Sequence, residues 1–256
     1  MKRFSIILFS AFCILHSDFS QTVLTAEGLA AFGKKPSSGG GGGGGGTWTL
    51  VTSSSTQGTT GNTTTGALNT SGANLITVGF VWAGGTTPTL SDSKGNIWTL
   101  GVTSTTGGGN PKVNWYYCIS PTVGSGHTFT VTAASGFSSH VHVYALTKSG
   151  GTPAFHTSNT GTATGNFGSS HPSTGSITPA NANSLFFSSV WWDTANANSP
   201  TANSSFTVPN ASTSGGGGGI QTAYKIKSSD SSAENVTWTP SPSINADANS
   251  NLIDFN

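Results

Sequence analysis

The sequence ANLITVGFVWAGGTTPTLSDSKGNIWTL, residues 73–100, decides the fold class of this chain. Its apolar run at residues 75–82 is rich in the β-branched and aromatic side chains that a strand against a packed core requires. Gly84-Gly85 interrupts the run. The DSKGN segment at residues 92–96 is typical of a tight turn, because Asp and Asn bond their own backbone and Gly tolerates a positive φ. The stretch therefore predicts consecutive strands joined by turns, without a helical period.

A weak copy of this stretch lies in the second half of the chain. Three dipeptides recur without a gap: Thr65-Gly66, Ala73-Asn74 and Val81-Trp82 return as Thr174-Gly175, Ala182-Asn183 and Val190-Trp191. Ile177 also matches Leu68, and Leu185 matches Ile76. Two interpretations stay open. Short Asn/Ser/Thr-rich β segments resemble one another by chance, or the fold has internal pseudo-symmetry with both strands central in facing sheets.

Charge is scarce throughout the sequence. Charged residues make up 7% of the chain, where about 25% is typical. The surface must therefore be neutral and rich in hydroxyl and amide groups, as on many extracellular β proteins and virion appendages. The formal net charge is +1, and the cationic clusters are limited to Lys2-Arg3 and Lys34-Lys35. A surface that follows a phosphate backbone needs many clustered cations, so no nucleic-acid partner is predicted.

The N-terminal part predicts an attachment piece. Residues 1–21 place Lys2 and Arg3 before an apolar run and a polar stretch, which is the layout of a secretory signal. If it is retained, the same segment is an anchoring arm. Residues 22–46 predict a short helix followed by a poly-Gly linker that ends in eight consecutive glycines. Cys13 lies in the first segment, which leaves Cys118 as a small packed hydrophobe.

Residues 47–256 predict one all-β domain. The expected strands are 47–52, 75–82, 97–103, 113–119, 128–132, 140–147, 185–192, 205–208, 220–227, 236–239 and 252–255. So many short strands without helical segments predict an antiparallel two-sheet sandwich of jelly-roll or immunoglobulin-like type, preceded by a flexible N-terminal extension. The glycine run at residues 215–219 is expected to be a loop.

Motifs for catalysis and metal binding are weak. The domain has six carboxylates, scattered along the sequence: Asp92, Asp193, Asp230, Glu234, Asp247 and Asp254. A glycosidase needs two of them to converge on one bond, so a glycan hydrolase is only a distant alternative. His140 and His142 alternate on one strand and offer two zinc ligands or a polar strand face; the second interpretation is favoured because the ligand set is incomplete. No P-loop, nucleophile elbow or dinucleotide motif occurs, so neither a cofactor nor a metal is predicted.

Aromatic residues provide the predicted ligand site. Alternation places Phe187 and Trp191 on the inward face with Leu185, and Phe186 and Trp192 on the opposite face. The Trp192 ring can then stack on a sugar while the Asp193 carboxylate accepts a hydroxyl hydrogen bond. We therefore predict Trp192, Asp193 and Phe186 as ligand-binding residues. The alternative is that a loop or a neighbouring subunit covers these rings, because large exposed apolar patches are uncommon.

The assembled pattern resembles a β-sandwich domain that recurs in bacterial secreted and surface proteins and in phage tail or virion-fibre proteins. The segments that carry the resemblance are 73–76 (ANLI), 91–99 (SDSKGNIWT), 115–117 (WYY), 126–132 (GHTFTVT) and 182–187 (ANSLFF). The resemblance implies a jelly-roll or immunoglobulin-like sandwich displayed outside a cell or on a particle, and it implies no catalytic residues. The last strand departs from the family pattern, because Asp254 interrupts it.

Two functions of different classes follow. The first is a non-catalytic displayed domain that attaches to or recognises a cell-surface glycan or another receptor. The second is a structural decoration or fibre component, held as a homo-oligomer or in a virion or surface assembly through the N-terminal segment. Both predict an extracellular, cell-surface or virion location, and neither requires an enzyme activity.

Overall fold

The computed structural model describes residues 46–82, 88–105, 112–132, 138–163, 172–193, 199–203, 205–211, 213–215, 218–241 and 246–256. These residues contain strands and no helix, which confirms the all-β prediction. Segment 1–21, and segment 22–46 apart from Gly46, lie outside the described residues, so the predicted anchoring arm, helix and linker stay predictions. The described residues belong to one compact unit.

The described residues form fifteen strands. Their bounds are β1 Trp48–Thr60, β2 Thr63–Thr64, β3 Leu75–Trp82, β4 Thr89–Asp92, β5 Thr99–Thr105, β6 Lys112–Ile119, β7 Phe129–Thr132, β8 Ser138–Lys148, β9 Phe155–Ala163, β10 Leu185–Trp192, β11 Thr201–Ala202, β12 Thr213–Gly215, β13 Gly218–Ile226, β14 Trp238–Thr239 and β15 Ala248–Phe255.

Two five-stranded antiparallel sheets form the centre of the molecule. The first main sheet has the order β1-β8-β3-β6-β5, and the second main sheet has the order β12-β13-β10-β15-β9. Their inner faces meet in a central core that contains Leu75 and Trp115 from the first main sheet and Leu185, Phe187 and Phe255 from the second. This strand order does not by itself assign the jelly-roll or the immunoglobulin-like type, so that part of the expectation stays a prediction.

A small sheet covers the outer face of each main sheet. The first cover, β2-β7-β4, packs Phe129 and Val131 against Val78 and Phe80 of β3. The second cover, β11-β14, packs Trp238 against the outer face of β10. The molecule therefore has apolar clusters on both sides of each main sheet.

The two halves of the chain repeat the same arrangement. In the first main sheet β1 pairs with β8, and in the second main sheet β9 pairs with β15. The next main-sheet strand along each half, β3 or β10, is the central strand of its sheet. The Thr65 N–H donates to the Phe129 carbonyl, and the Thr65 hydroxyl oxygen accepts from the Phe129 N–H. Thr174 makes the same two hydrogen bonds with Val236. These matching contacts support the internal repeat over chance similarity.

The repeat contains a one-residue insertion that the ungapped match overlooked. Leu75 and Leu185 both begin their strands and both point into the central core, so they are the equivalent pair. The match of Ile76 with Leu185 is therefore wrong, because a slip of one residue moves a side chain to the opposite face of the sheet. Trp82 corresponds to Trp192, and both rings lie on outer faces.

Several strand predictions need correction. The 75–82 and 185–192 strands are confirmed, whereas 205–208 forms only an isolated bridge at Thr207. The glycine run predicted as a loop contributes to β12 and β13. Strand β9 was missed because its polar sequence, FHTSNTGTA, carries little of the apolar pattern that marks a strand; it is held at the sheet edge by backbone pairing with β15.

Asp92 organises the turn that the sequence singled out. Its buried carboxylate accepts five hydrogen bonds at 2.8–3.1 Å, from the backbone of Lys94 and Asn96 and from the side chains of Asn96, Trp98 and His127. This one side chain thus ties the turn after β4 to the start of β7 and fixes the edge of the first cover.

We expect Asp92→Ala to lower the free energy of unfolding by on the order of 3–5 kcal/mol, because buried donors lose a charged acceptor. Urea unfolding followed by tryptophan fluorescence measures the change. The matched control is Asp193→Ala, which removes an exposed carboxylate and should change stability by no more than about 0.5 kcal/mol. Equal small effects in both variants would contradict the role given to Asp92.

Candidate functional site

The predicted aromatic site is buried. Phe186 and Trp192 have no exposed surface and belong to the apolar cluster beneath the second cover, whereas Asp193 is exposed. The expectation that these two rings face a ligand is therefore wrong, and the alternative that another segment covers them is correct. The physical reason is that β14 and the segment after β11 lie over the outer face of β10 and bring Trp238 and Phe206 against it.

The residue opposite Trp192 allows its ring to close over the sheet. Trp192 pairs with Gly219 of β13, and a Cβ at Gly219 would overlap the indole ring. Ala223, two pairs further along the outer face, is also small and buried. The Trp192 ring therefore packs over the glycine of the neighbouring strand.

The equivalent place in the first main sheet has larger neighbours and remains open. Trp82 pairs with Lys112 where Trp192 pairs with Gly219, and Tyr116 stands where the second half has Ala223. A cleft of about 170 Å³ lies here, lined by Trp82, Leu100, Thr103, Lys112, Asn114 and Tyr116. It is smaller than the roughly 300–1,000 Å³ of most small-molecule pockets, so it suits a single ring-sized group.

Strands β3, β5 and β6 position every side chain of the cleft. Phe80 stacks on the Tyr116 ring with centroids 5.7 Å apart and planes 7° apart, which fixes the ring orientation. Thr103 Oγ1 donates to Asn114 Oδ1 at 2.8 Å and so orients the amide. Strand β5 is an outer strand of its sheet, and Leu100 on it is 49% exposed, so the cleft opens to solvent at the sheet edge.

Two of the residues that line the cleft carry nitrogen donors. Lys112 Nζ is 5.0 Å from the centroid of the Trp82 ring, which is a cation–π distance. The Trp82 Nε1 atom is buried and has no hydrogen-bond acceptor among the described residues. Buried polar groups are satisfied in most proteins, so an indole N–H without an acceptor beside a cleft marks a place for a ligand oxygen.

The sequence contained a signal for this cleft, although we expected the site elsewhere. Trp82 ends an apolar strand as Trp192 does, and the weak repeat relates the two strands. The sequence did not reveal which tryptophan is covered, because Gly219 and Lys112 become neighbours of these rings only through sheet pairing.

The carboxylates make their contacts elsewhere in the molecule, away from the cleft. Glu234 and Asp230 bind Lys225 and Lys227. Asp193 lies beside Asp247; partial loss of solvent around its carboxyl group, and then the Asp247 charge, raise its pKa. No carboxylate lines the cleft among the residues that the structure describes.

The histidine pair of β8 faces the central core. His140 and His142 are buried, with Val141 and Val143 on the opposite face, and Thr222 Oγ1 lies 2.7 Å from His142 Nδ1 and 2.6 Å from the Tyr144 hydroxyl. Burial, and then the neighbouring His140, lowers the pKa of His142 to about 3. Within the described ranges, no three His, Cys, Asp or Glu side chains gather as a metal site would require.

Comparison with protein-family models, curated proteins and solved structures found no match to this chain. Within the described residues, no helix has the length and apolar character needed to cross a membrane.

The neutral form of His142 predicts sensitivity to acid. An unfolded histidine has a pKa of about 6.5, so the stability that His142 contributes is present above that pH and is lost as pH falls toward 3. Between pH 7 and pH 4, we expect the free energy of unfolding of wild type to fall by about 2–3 kcal/mol more than that of His142→Gln. The glutamine of this variant can still bond Thr222. Urea titrations at both pH values test this, and parallel losses in the two proteins would contradict it.

Asp254 predicts the opposite dependence. Burial raises its pKa to about 6, although His156 Nδ1 lies 2.8 Å from Oδ2 and opposes that shift. The stability that this carboxyl group contributes is therefore present below about pH 4 and is lost as pH rises through 6. Asp254→Asn should match wild type at pH 3.5 and exceed it by about 1–3 kcal/mol at pH 7.5. The same difference at both pH values would show that ionisation of Asp254 is not the cause.

Proposed function

We propose that this chain is a non-catalytic displayed protein that binds a cell-surface glycan through the cleft on the first main sheet. The observation that carries the proposal is the indole N–H of Trp82, a residue that lines the cleft with Tyr116; this N–H is buried and has no acceptor among the described residues. An aromatic face, an oriented amide, a hydroxyl and unused N–H donors are the groups that a sugar ring with several hydroxyls engages.

The geometry suits a single sugar ring. The Tyr116 ring is held on Phe80 and lines the cleft, so its remaining surface can meet the apolar C–H face of a pyranose. Asn114 and Thr103 lie beside it and can bond the ring hydroxyls. A side chain held in place before binding loses little conformational entropy when the ligand arrives, which favours affinity.

The remainder of the chain supports display. The glycine run that ends at Gly46 separates the β domain from residues 1–21 and can act as a flexible tether. A secretory signal or anchoring arm at that end fits an extracellular, cell-surface or virion location. The neutral surface of the chain fits the same setting.

A structural decoration or fibre component is the second candidate function. Its support is that the main sheets end in β1 and β5 and in β9 and β12, each with one edge that pairs with no described strand. Free strand edges are templates for pairing with another chain, and scarce charge allows like subunits to approach closely.

Binding of the labelled full chain to a glycan array and to candidate host cells tests the proposal. We expect saturable binding that Tyr116→Leu weakens by about 10-fold, because the variant keeps apolar volume but loses the planar ring. The matched control is Ile97→Ser, which alters an 88% exposed side chain outside the cleft and should leave binding unchanged. Thermal unfolding verifies that both variants fold.

Other outcomes would redirect the interpretation. Saturable binding that is unchanged in Tyr116→Leu would remove the cleft as the site. Absence of saturable binding, together with self-association in sedimentation, would favour the structural component.

A further inference from the structure

We infer that the cleft selects a sugar carrying a negative charge, a carboxylate or a sulfate ester, and that Lys112 is the residue that determines this specificity. The inference rests on the proposed glycan-binding role of the cleft and adds the class of ligand. Lys112 is the only charged residue that lines the cleft among the described residues.

The ammonium group of Lys112 is held in place without being neutralised. Within the described part of the chain it forms no ion pair and its side chain donates no hydrogen bond, whereas Lys225 and Lys227 are both paired with Glu234. Its partner is the Trp82 ring, 5.0 Å from Nζ, and a ring attracts the cation without using its three N–H donors directionally. A positioned ammonium with free donors favours an anionic oxygen as its partner.

Few carboxylates of the chain compete with a ligand for the ammonium group of Lys112. The Asp92 carboxylate, on the neighbouring first cover, already accepts five hydrogen bonds. Only 7% of the residues are charged, so the surface potential is set by single side chains rather than by clusters. An anion entering the cleft therefore meets Lys112 without a carboxylate of the cleft opposing it.

Comparison of the two halves isolates the contribution of Lys112. The equivalent position in the second half is Gly219, over which Trp192 closes completely. In the first half the lysine pairs with Trp82, and its Nζ lies 5.0 Å from the centroid of the ring whose Nε1 has no acceptor among the described residues. Both donors can serve one anionic group: a carboxylate or sulfate offers several oxygens, and charge-assisted bonds are stronger than neutral ones.

The test uses matched pairs of sugars in which one member carries a negative charge and the other, with the same sugar ring, is neutral. The full chain is titrated with β-linked glucuronic acid against its methyl ester, with N-acetylneuraminic acid against its methyl ester, and with 6-sulfogalactose against galactose. We expect at least one acidic member to bind 10-fold or more tightly than its neutral partner, and the preference to shrink as salt is raised. The pairs also distinguish carboxylate from sulfate recognition.

Three lysine variants complete the experiment. Lys112→Met keeps the length and apolar stem of the side chain. Its affinity for the acidic sugar of a pair should fall to its affinity for the neutral sugar. Lys112→Arg should retain the preference, since it retains the charge. Lys94→Met, which removes a lysine outside the cleft lining, should behave as wild type.

The outcomes separate this inference from the proposed function. Neutral and acidic members bound equally, with Tyr116→Leu weakening both, would overturn the charge selection and keep the glycan site. A preference that survives in Lys112→Met would also overturn it. Binding of no member of any pair, and of no sugar on the array, would overturn both proposals.

Discussion

Burial of both faces of the two central strands is the constraint on which the structure depends. Every residue of β3 and of β10 is buried, so neither strand has a solvent face. The inner faces meet each other in the central core, and the outer faces require the two covers. In each half, the strands outside the main sheet form a cover over its outer face, since exposing that face would leave a large apolar patch.

The central core combines apolar packing with buried polar contacts. Trp115 Nε1 donates to Ser189 Oγ at 3.2 Å, and Ser189 donates to Asn251 Oδ1 at 2.8 Å, which links β6 of one main sheet to β10 and β15 of the other. Ser104 bonds Asn249 at 2.8 Å across the same interface. Such bonds are costly to leave unmade in a dry interior, so they fix one relative placement of the sheets where apolar packing alone would tolerate several.

The repeat shows how one scaffold acquires a closed and an open copy. The tryptophan that ends the central strand is conserved in position between the halves, as Trp82 and Trp192, but the residue across from it is Lys112 in one half and Gly219 in the other. Glycine lets the ring lie on the sheet, whereas lysine and the neighbouring Tyr116 keep space beside it. The side chains beside the tryptophan thus differ between the covered copy and the copy that borders a cleft.

The sequence by itself determined the fold class, the two central strands and the Asp92 turn. These features are local: an apolar run of the right length, a period of two, and turn residues in adjacent positions are readable without knowing the partners. The repeat was visible as well, although the one-residue insertion hid its register. Only the tertiary structure decided which tryptophan is covered, where β9 and β12 pair, and that Lys112 lies over Trp82. The physical reason is that coverage and pairing depend on segments distant in the chain, such as the one that brings Trp238 onto the outer face of β10, and these leave no pattern in the residues they meet.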